Sequence, residues 1–109
     1  MKKIRTAELD PRFAPVVDAF AKDRRVNYGG KGFGSTALKV DGKIFAMMSS
    51  KGQFVVKLPK DRVDELVRLG RGQYFDPGHG RLMKEWLAVT EASAPWIVLA
   101  REAHAFVGG

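Results

Sequence analysis

The chain contains no cysteine. This absence excludes disulfide bonds, metal sites with thiolate ligands and cysteine nucleophiles. The sequence also lacks an apolar run near the ~18–20 residues that a membrane-spanning helix needs. Its first residues carry the positive charges of a signal peptide, but no apolar segment follows them. We therefore expect a cytoplasmic protein that does not cross a membrane.

Motifs for catalysis and metal binding are also lacking. The chain has two histidines, and His79 with Asp76 supplies two ligands where a zinc site needs three or four. The serines stand outside any nucleophile-elbow pattern. Glu85 and Glu102 are single carboxylates on amphipathic segments rather than a paired acid and base. We therefore predict a protein that is not an enzyme and that uses no metal and no cofactor.

Glycine is abundant in one segment, residues 26–35, but the phosphate-binding patterns are absent there. A phosphate-binding loop needs a lysine after its last glycine, and Ser35 follows Gly34 directly. A dinucleotide-binding fingerprint needs a strand before it and a helix after it, whereas the predicted order here is the reverse. We predict a flexible connector with Tyr28 or Phe33 against the core. A basic loop that touches a phosphate backbone is the alternative.

Positive charge is what the chain has in excess. The net charge is +7 over 109 residues. Residues 1–60 hold 13 Lys and Arg against 5 Asp and Glu, whereas residues 61–109 hold 6 against 7. A basic surface raises the local concentration of polyanions, although many small domains carry charge for solubility alone. The length predicts a single domain over residues 1–109, with residues 1–9 flexible or loosely attached.

An amphipathic helix is predicted near the start of the chain, over residues 11–23. Asp10 is its expected N-cap, and Pro11 occupies the first helical position. The apolar positions recur three and four residues apart. They are Phe13, Val16, Val17, Phe20 and Ala21.

Two further helices are predicted in the second half of the chain. One begins near Lys60 or Asp61 and ends at Gly70 or Gly72. The other opens at Ser93 with Pro95. Their apolar stripes are Val63, Leu66, Val67 and Gly70 in the first helix, and Trp96, Leu99, Ala100, Ala103 and Val107 in the second.

The segment Thr36–Leu58 predicts three antiparallel strands in a meander. Its first turn is the two-residue hairpin sequence Asp41-Gly42, and its second loop is Ser49–Gly52. Residues opposite each other share a face of the sheet, so the two loops sort the strands into two faces. The face expected in the core contains Leu38, Val40, Phe45, Met47, Phe54, Val56 and Leu58.

The opposite face of the meander is mixed in character. It contains Ala37, Lys39, Ile44, Ala46, Met48, Gln53, Val55 and Lys57. One predicted row across the strands reads Lys39–Ile44–Lys57, because the first turn sets Leu38 opposite Phe45 and the second loop sets Ile44 opposite Lys57. This face is too polar for a core and too apolar for a plain solvated surface. It is therefore the part of the chain for which we expect a partner.

Two later segments predict further strands of the same sheet. Gln73–Phe75 is short, and Lys84–Thr90 alternates, with Trp86 on one side and Leu87 on the other. We predict that Trp86 and Trp96 are core or near-core aromatics. The fold class is α+β, with three helices and a single antiparallel β-sheet of the three-stranded meander plus one or two later strands.

Three motifs, in their order and spacing, are similar to those of a known family. They are Asp41-Gly42-Lys43-Ile44-Phe45-Ala46, Tyr74-Phe75-Asp76-Pro77-Gly78 and Glu85-Trp86-Leu87-Ala88-Val89. Over roughly Ser35–Val107 the chain resembles the MmcQ/YjbR family and, more distantly, the N-terminal domain of TfoX-type competence regulators. The resemblance implies a CyaY-like arrangement, with the three helices packed on one face of the sheet. It also implies DNA binding, which members of the family are assigned by structural analogy, and it supplies no catalytic residues.

The basic sheet surface leads to a first functional hypothesis, binding of nucleic acid, with DNA as the partner that the resemblance implies. The predicted contacts are Lys39, Lys43, Lys51 and Lys57 on or beside the sheet, extended by Arg24, Arg25 and Lys31. Such contacts reach phosphates, which position a nucleic acid without reading its sequence. We expect the binding to be weak and strongly dependent on salt.

Two other hypotheses stand beside nucleic-acid binding. The first is a protein-interaction or homodimerisation module that uses the mixed sheet face, with the lysines as a rim. Its interface would consist of Ile44, Ala46, Met48 and Val55. The second is a small-ligand pocket, which would be lined by Tyr74, His79 and Trp86.

Overall fold

The structure is a computed structural model that describes residues 11–28, 37–49, 52–76, 83–90 and 95–109. Several sequence predictions lie outside these residues. They are the loose segment 1–9 and the roles given to Asp10, Lys31, Phe33, Lys51, His79 and Ser93.

The described residues form three helices and six strands. The helices are α1 (Ala14–Ala19), α2 (Lys60–Arg68) and α3 (Trp96–Gly108). The strands are β1 (Val26–Tyr28), β2 (Ala37–Val40), β3 (Lys43–Met48), β4 (Phe54–Lys57), β5 (Gly72–Phe75) and β6 (Met83–Val89). All six strands form one antiparallel sheet in the order β1-β2-β3-β4-β6-β5. The α+β class with a single antiparallel sheet is confirmed.

Strand β1 occupies residues that the sequence predicts as part of a connector. Val26 pairs with Val40, which makes β1 an edge strand beside β2. The connector prediction is wrong for residues 26–28, because a three-residue strand is too short to show alternation. Tyr28 is half-buried against the core, with its ring 6.1 Å from that of Phe13, as predicted.

A β-bulge changes the register of the meander. Val40 pairs with Lys43 as predicted, but Leu38 pairs with Ala46 instead of Phe45. Phe45 is therefore the extra residue of the bulge. Both Phe45 and Ala46 are buried in the core. The predicted pairing is wrong beyond the turn, because strict alternation does not allow for an inserted residue.

The bulge also exchanges residues between the two faces of the sheet. Met48 lies in the core and pairs with Phe54 rather than with Gln53. Met47 is half-buried on the opposite face. The predictions that placed Met47 in the core, and Ala46 and Met48 on the opposite face, are wrong for this reason.

A single core cluster contains side chains from all three helical segments and from the sheet. The helical segments supply Phe13, Val16, Val17, Phe20, Val63, Leu66, Leu99, Ala100 and Ala103. The sheet supplies Leu38, Val40, Phe45, Ala46, Met48, Phe54, Val56, Leu87 and Val89. Helix α1 is shorter than predicted, since the chain continues in turns after Ala19, and this leaves Ala21 exposed rather than in the apolar stripe.

Gly70 ends α2, at one of the two predicted positions. Its φ of 77° is in the left-handed region, which glycine adopts without a steric penalty. Its N–H donates to the carbonyl of Val67 at 3.0 Å, and the N–H of Arg71 donates to that of Leu66 at 2.9 Å. These two bonds form a Schellman motif, and the chain then enters β5 directly.

Candidate nucleic-acid interface

Side chains from five adjacent strands lie on the sheet face opposite the core. Asn27 pairs with Lys39, Lys39 with Ile44, and Lys57 with Trp86. The strand neighbours of Lys57 are buried in the core, so Lys57 points to the same outer face. We call these five residues the lysine row. With strands about 4.8 Å apart, the row spans roughly 19 Å. The predicted pair of Ile44 with Lys57 is not among the β3–β4 pairs, since Ala46 rather than Phe45 lies opposite Val56.

The lysine row is the accessible part of this face. Asn27 is exposed, and the other four members are half-buried. The adjacent positions on the same face are closed, since Ala37, Val55 and Ala88 are 0%, 0% and 2% exposed. A ligand that approaches this face therefore meets the lysine row and not the buried residues beside it.

Lys57 has two neighbours within the chain. Its Nζ lies 5.4 Å from the centroid of the Trp86 ring, which is a cation–π geometry. The same Nζ lies 3.9 Å from Oε1 of Glu85, at the outer limit of an ion pair. The side chains of Lys57 and Glu85 are 33% and 50% exposed, so water screens this contact and it is weak. An anion can therefore compete with Glu85 for the ammonium group.

The two tryptophans have different surroundings. Trp96 is packed against the core and stacks on Phe54, with ring centroids 4.4 Å apart and 9° between the ring planes, as predicted. Trp86 lies outside the core cluster, so the core prediction is wrong for this residue. The signal was present in the alternation, because Trp86 precedes the core residue Leu87 on the same strand.

Three of the predicted phosphate contacts meet at one corner of the sheet, around the β2–β3 turn. The Arg25 guanidinium hydrogen-bonds the Asp41 carboxylate through Nε, at 3.0 and 3.2 Å, and through a second nitrogen. It also donates to the carbonyl of Gly108 at the end of α3. Arg24 and Lys43 are exposed at this corner. Arg25 thus joins three distant segments, and Asp41 offsets its charge.

The ion pair at this corner predicts a dependence of stability on pH. The hydrogen bonds from Arg25 hold the pKa of the Asp41 carboxyl below its usual value. A carboxyl whose pKa is lower in the folded state stabilises the fold above its unfolded pKa of about 3.9 and loses this effect as the pH falls through the folded pKa.

Replacing Asp41 with Asn should therefore lower the urea midpoint at pH 7, and the gap from the unmodified chain should close on acidification below about pH 4. Asn tolerates the positive φ of 51° at this position, so the backbone is kept. A gap of equal size across a series from pH 7 to pH 3 would contradict the role of the carboxylate.

The structure places the other predicted residues as follows. Lys39 and Lys57 lie in the lysine row, whereas Lys31 and Lys51 lie outside the described residues. Within the described part of the chain, Lys39 makes no ion pair. Its charge is therefore available to an external anion.

The alternative interface is largely buried. Ala46 is 0% exposed and Met48 is 8% exposed, because the bulge turns both toward the core. Val55 remains on the predicted face but is itself 0% exposed. Of the four residues, Ile44 alone is half-buried rather than buried, and it belongs to the lysine row. The prediction that these residues form a surface patch is wrong.

The residues of the predicted small-ligand pocket do not come together where they are described. Tyr74 pairs with the core residue Leu87 and therefore shares its face, whereas Trp86 lies on the opposite face. The Tyr74 hydroxyl instead donates a hydrogen bond to the carboxylate of Asp64 on α2. This bond lowers the pKa of Asp64 and raises that of Tyr74. Tyr74 thus links β5 to α2.

Two absences among the described residues bear on the sequence expectations. No group of three or more metal-ligating side chains occurs in this part of the chain. None of the helices in the same part is long and apolar enough to cross a membrane.

Comparison of the chain with protein-family models, with curated proteins and with solved structures finds no match. The similarity to the MmcQ/YjbR family therefore stays a prediction from the three sequence motifs.

Proposed function

We propose that this chain is a non-enzymatic domain that binds nucleic acid, with DNA as the expected partner, through the lysine row and the basic corner beside it. The observation that supports this most is the placement of Lys39 and Lys57 on one accessible sheet face. Arg24 and Lys43 extend the positive surface toward the β2–β3 turn. The net charge of +7 adds a general attraction for polyanions.

The expected contacts are to phosphates. Lysine is a compact point charge with three rotatable donors, which suits a phosphate without demanding one geometry. Phosphate contacts position a nucleic acid and carry no sequence information. Each neutralised phosphate releases counterions, so the affinity should fall steeply as salt rises. The domain is therefore expected to bind with little sequence preference.

Reversing the charges of Lys39 and Lys57 together to Glu should weaken binding of a labelled oligonucleotide at least about tenfold at 50 mM salt. It should also flatten the slope of log affinity against log salt by about 1.4–1.8, because two phosphate contacts are lost. Fluorescence anisotropy over 50–200 mM salt measures both quantities.

The matched control reverses two charges elsewhere. Arg68 on α2 and Arg101 on α3 are exposed and belong neither to the lysine row nor to the basic corner. Their double change to Glu alters the net charge by the same amount and should leave the slope nearly intact. No binding by the unmodified chain at 50 mM salt would refute the proposal. An equal loss in the two double variants would assign the attraction to total charge instead of to the lysine row.

We also propose the CyaY-like arrangement, with all three helices on one face of the sheet, and the kinship with the MmcQ/YjbR family that the motifs suggest. Support comes from the core cluster, which contains residues of every helical segment. A crystal structure with a helix packed over the lysine row would overturn this arrangement.

A further inference from the structure

We propose that the nucleic acid held by the lysine row is single-stranded, and that Trp86 is the platform on which one of its bases stacks. This inference rests on the proposed function and adds the class of ligand. It follows from the shape of the surface, from the exposure of Trp86 and from the position of Lys57 beside that ring.

The shape of the surface argues against reading a duplex. The major groove of DNA admits a helix or a two-stranded ribbon that projects from the protein. The lysine row instead lies across five adjacent strands of a sheet. The apolar stripes of the described helices enter the core cluster, away from this row. A sheet face of this kind suits a flexible strand that lies along it.

Trp86 supplies an aromatic ring on which an unpaired base of a single strand can stack. Its side chain is half-buried in the lysine row and outside the core cluster, so part of the ring is accessible. An unpaired base has a free face to stack on an aromatic ring, and every base has such a face, so stacking tolerates any sequence. Inside a duplex, the bases are stacked on each other and present their edges to the grooves.

Lys57 places a positive charge beside the ring of Trp86. Its partner in the sheet is Trp86, and its ammonium group lies 5.4 Å from the centre of that ring. A phosphate bound to Lys57 therefore brings the attached nucleoside next to Trp86. Lys39 lies two strands away, about 10 Å across the sheet. The two lysines can thus hold the backbone on one side of the stacked base.

Glu85 opposes this binding. Its carboxylate lies 3.9 Å from the Lys57 ammonium and repels an approaching phosphate. Changing Glu85 to Gln removes the repulsion and the competing ion pair while keeping the shape of the side chain. This change should tighten binding of the strand by about two- to fivefold, since surface ion pairs of this type are weak.

The test compares a labelled 12-nucleotide strand of mixed sequence with the same strand annealed to its complement, at one salt concentration. The unmodified chain should bind the single strand at least about tenfold more tightly than the duplex. Changing Trp86 to Ala should weaken single-strand binding by about 5- to 100-fold and should weaken duplex binding much less, because a duplex presents no free base face to the ring. Changing Trp86 to Phe should preserve most of the preference, because an aromatic face remains.

The outcomes separate this inference from the proposed function. Equal or tighter binding of the duplex, or an equal loss for both ligands in the Trp86→Ala variant, would overturn the single-strand inference and leave nucleic-acid binding standing. The absence of binding to either ligand would overturn both. Duplex binding also reports whether each variant is folded, and the Trp86→Phe and Glu85→Gln variants test the inference if Trp86→Ala unfolds.

Discussion

Replacing Phe45 with Ala is expected to lower the free energy of unfolding by about 3–5 kcal/mol, the range for large-to-small changes at buried aromatics. Phe45 is 0% exposed. Its ring meets Phe20 edge-on at 5.1 Å and His104 at 5.3 Å, so it joins the segment of α1, β3 and α3. Removing the ring leaves a cavity where these three elements meet.

Urea unfolding followed by circular dichroism measures this loss by linear extrapolation. The matched control is Ile44→Ala, one residue away on the same strand. Ile44 is half-buried on the opposite face, so its truncation removes fewer core contacts and should cost clearly less. If the two variants lost equal stability, Phe45 would not be the core residue of the bulge.

The same bulge marks the limit of what alternation could predict. The run Ile44–Met48 is apolar throughout, so no polar residue fixes which side chains face inward. Alternation with a period of two therefore fits this run equally well whichever set of side chains faces the core. The hairpin at Asp41-Gly42 was predicted correctly because its sequence specifies the turn. The inserted residue Phe45 carries no local signal, since its position depends on contacts with two helical segments.

Strand β6 shows where alternation succeeds. Leu87 and Val89 enter the core, and Ala88 lies on the opposite face, as the pattern predicts.

The contacts of Arg25 could not be predicted in this way. Its partners Asp41 and Gly108 are 16 and 83 residues away along the chain. Contacts between residues so far apart in sequence depend on the complete topology. The sequence therefore predicted Arg25 only as a phosphate contact, whereas in the structure it holds three segments together.

Changing Val55 to Asp is expected to lower the free energy of unfolding by at least about 3 kcal/mol, because it places an uncompensated charge in a buried site. Val55 is 0% exposed, and its sheet partners are Met47 and Ala88. The nearest cation along the strand on this face is Lys57, whose ammonium lies over the Trp86 ring. The same urea experiment measures the loss, and Val55→Thr, which is close in shape and uncharged, should cost much less.

This variant also tests the interface hypothesis, because an interface residue and an interior residue respond differently to charge. An aspartate in a dimer contact would change the mass measured by light scattering and leave the unfolding of the monomer nearly intact. An aspartate in the interior lowers the unfolding midpoint at every protein concentration. Val55→Asp is best compared with Ile44→Asp, which puts the same charge into the half-buried lysine row between Lys39 and Lys57. That variant should keep most of the stability and weaken nucleic-acid binding, so the two substitutions on one sheet face separate its structural part from its binding part.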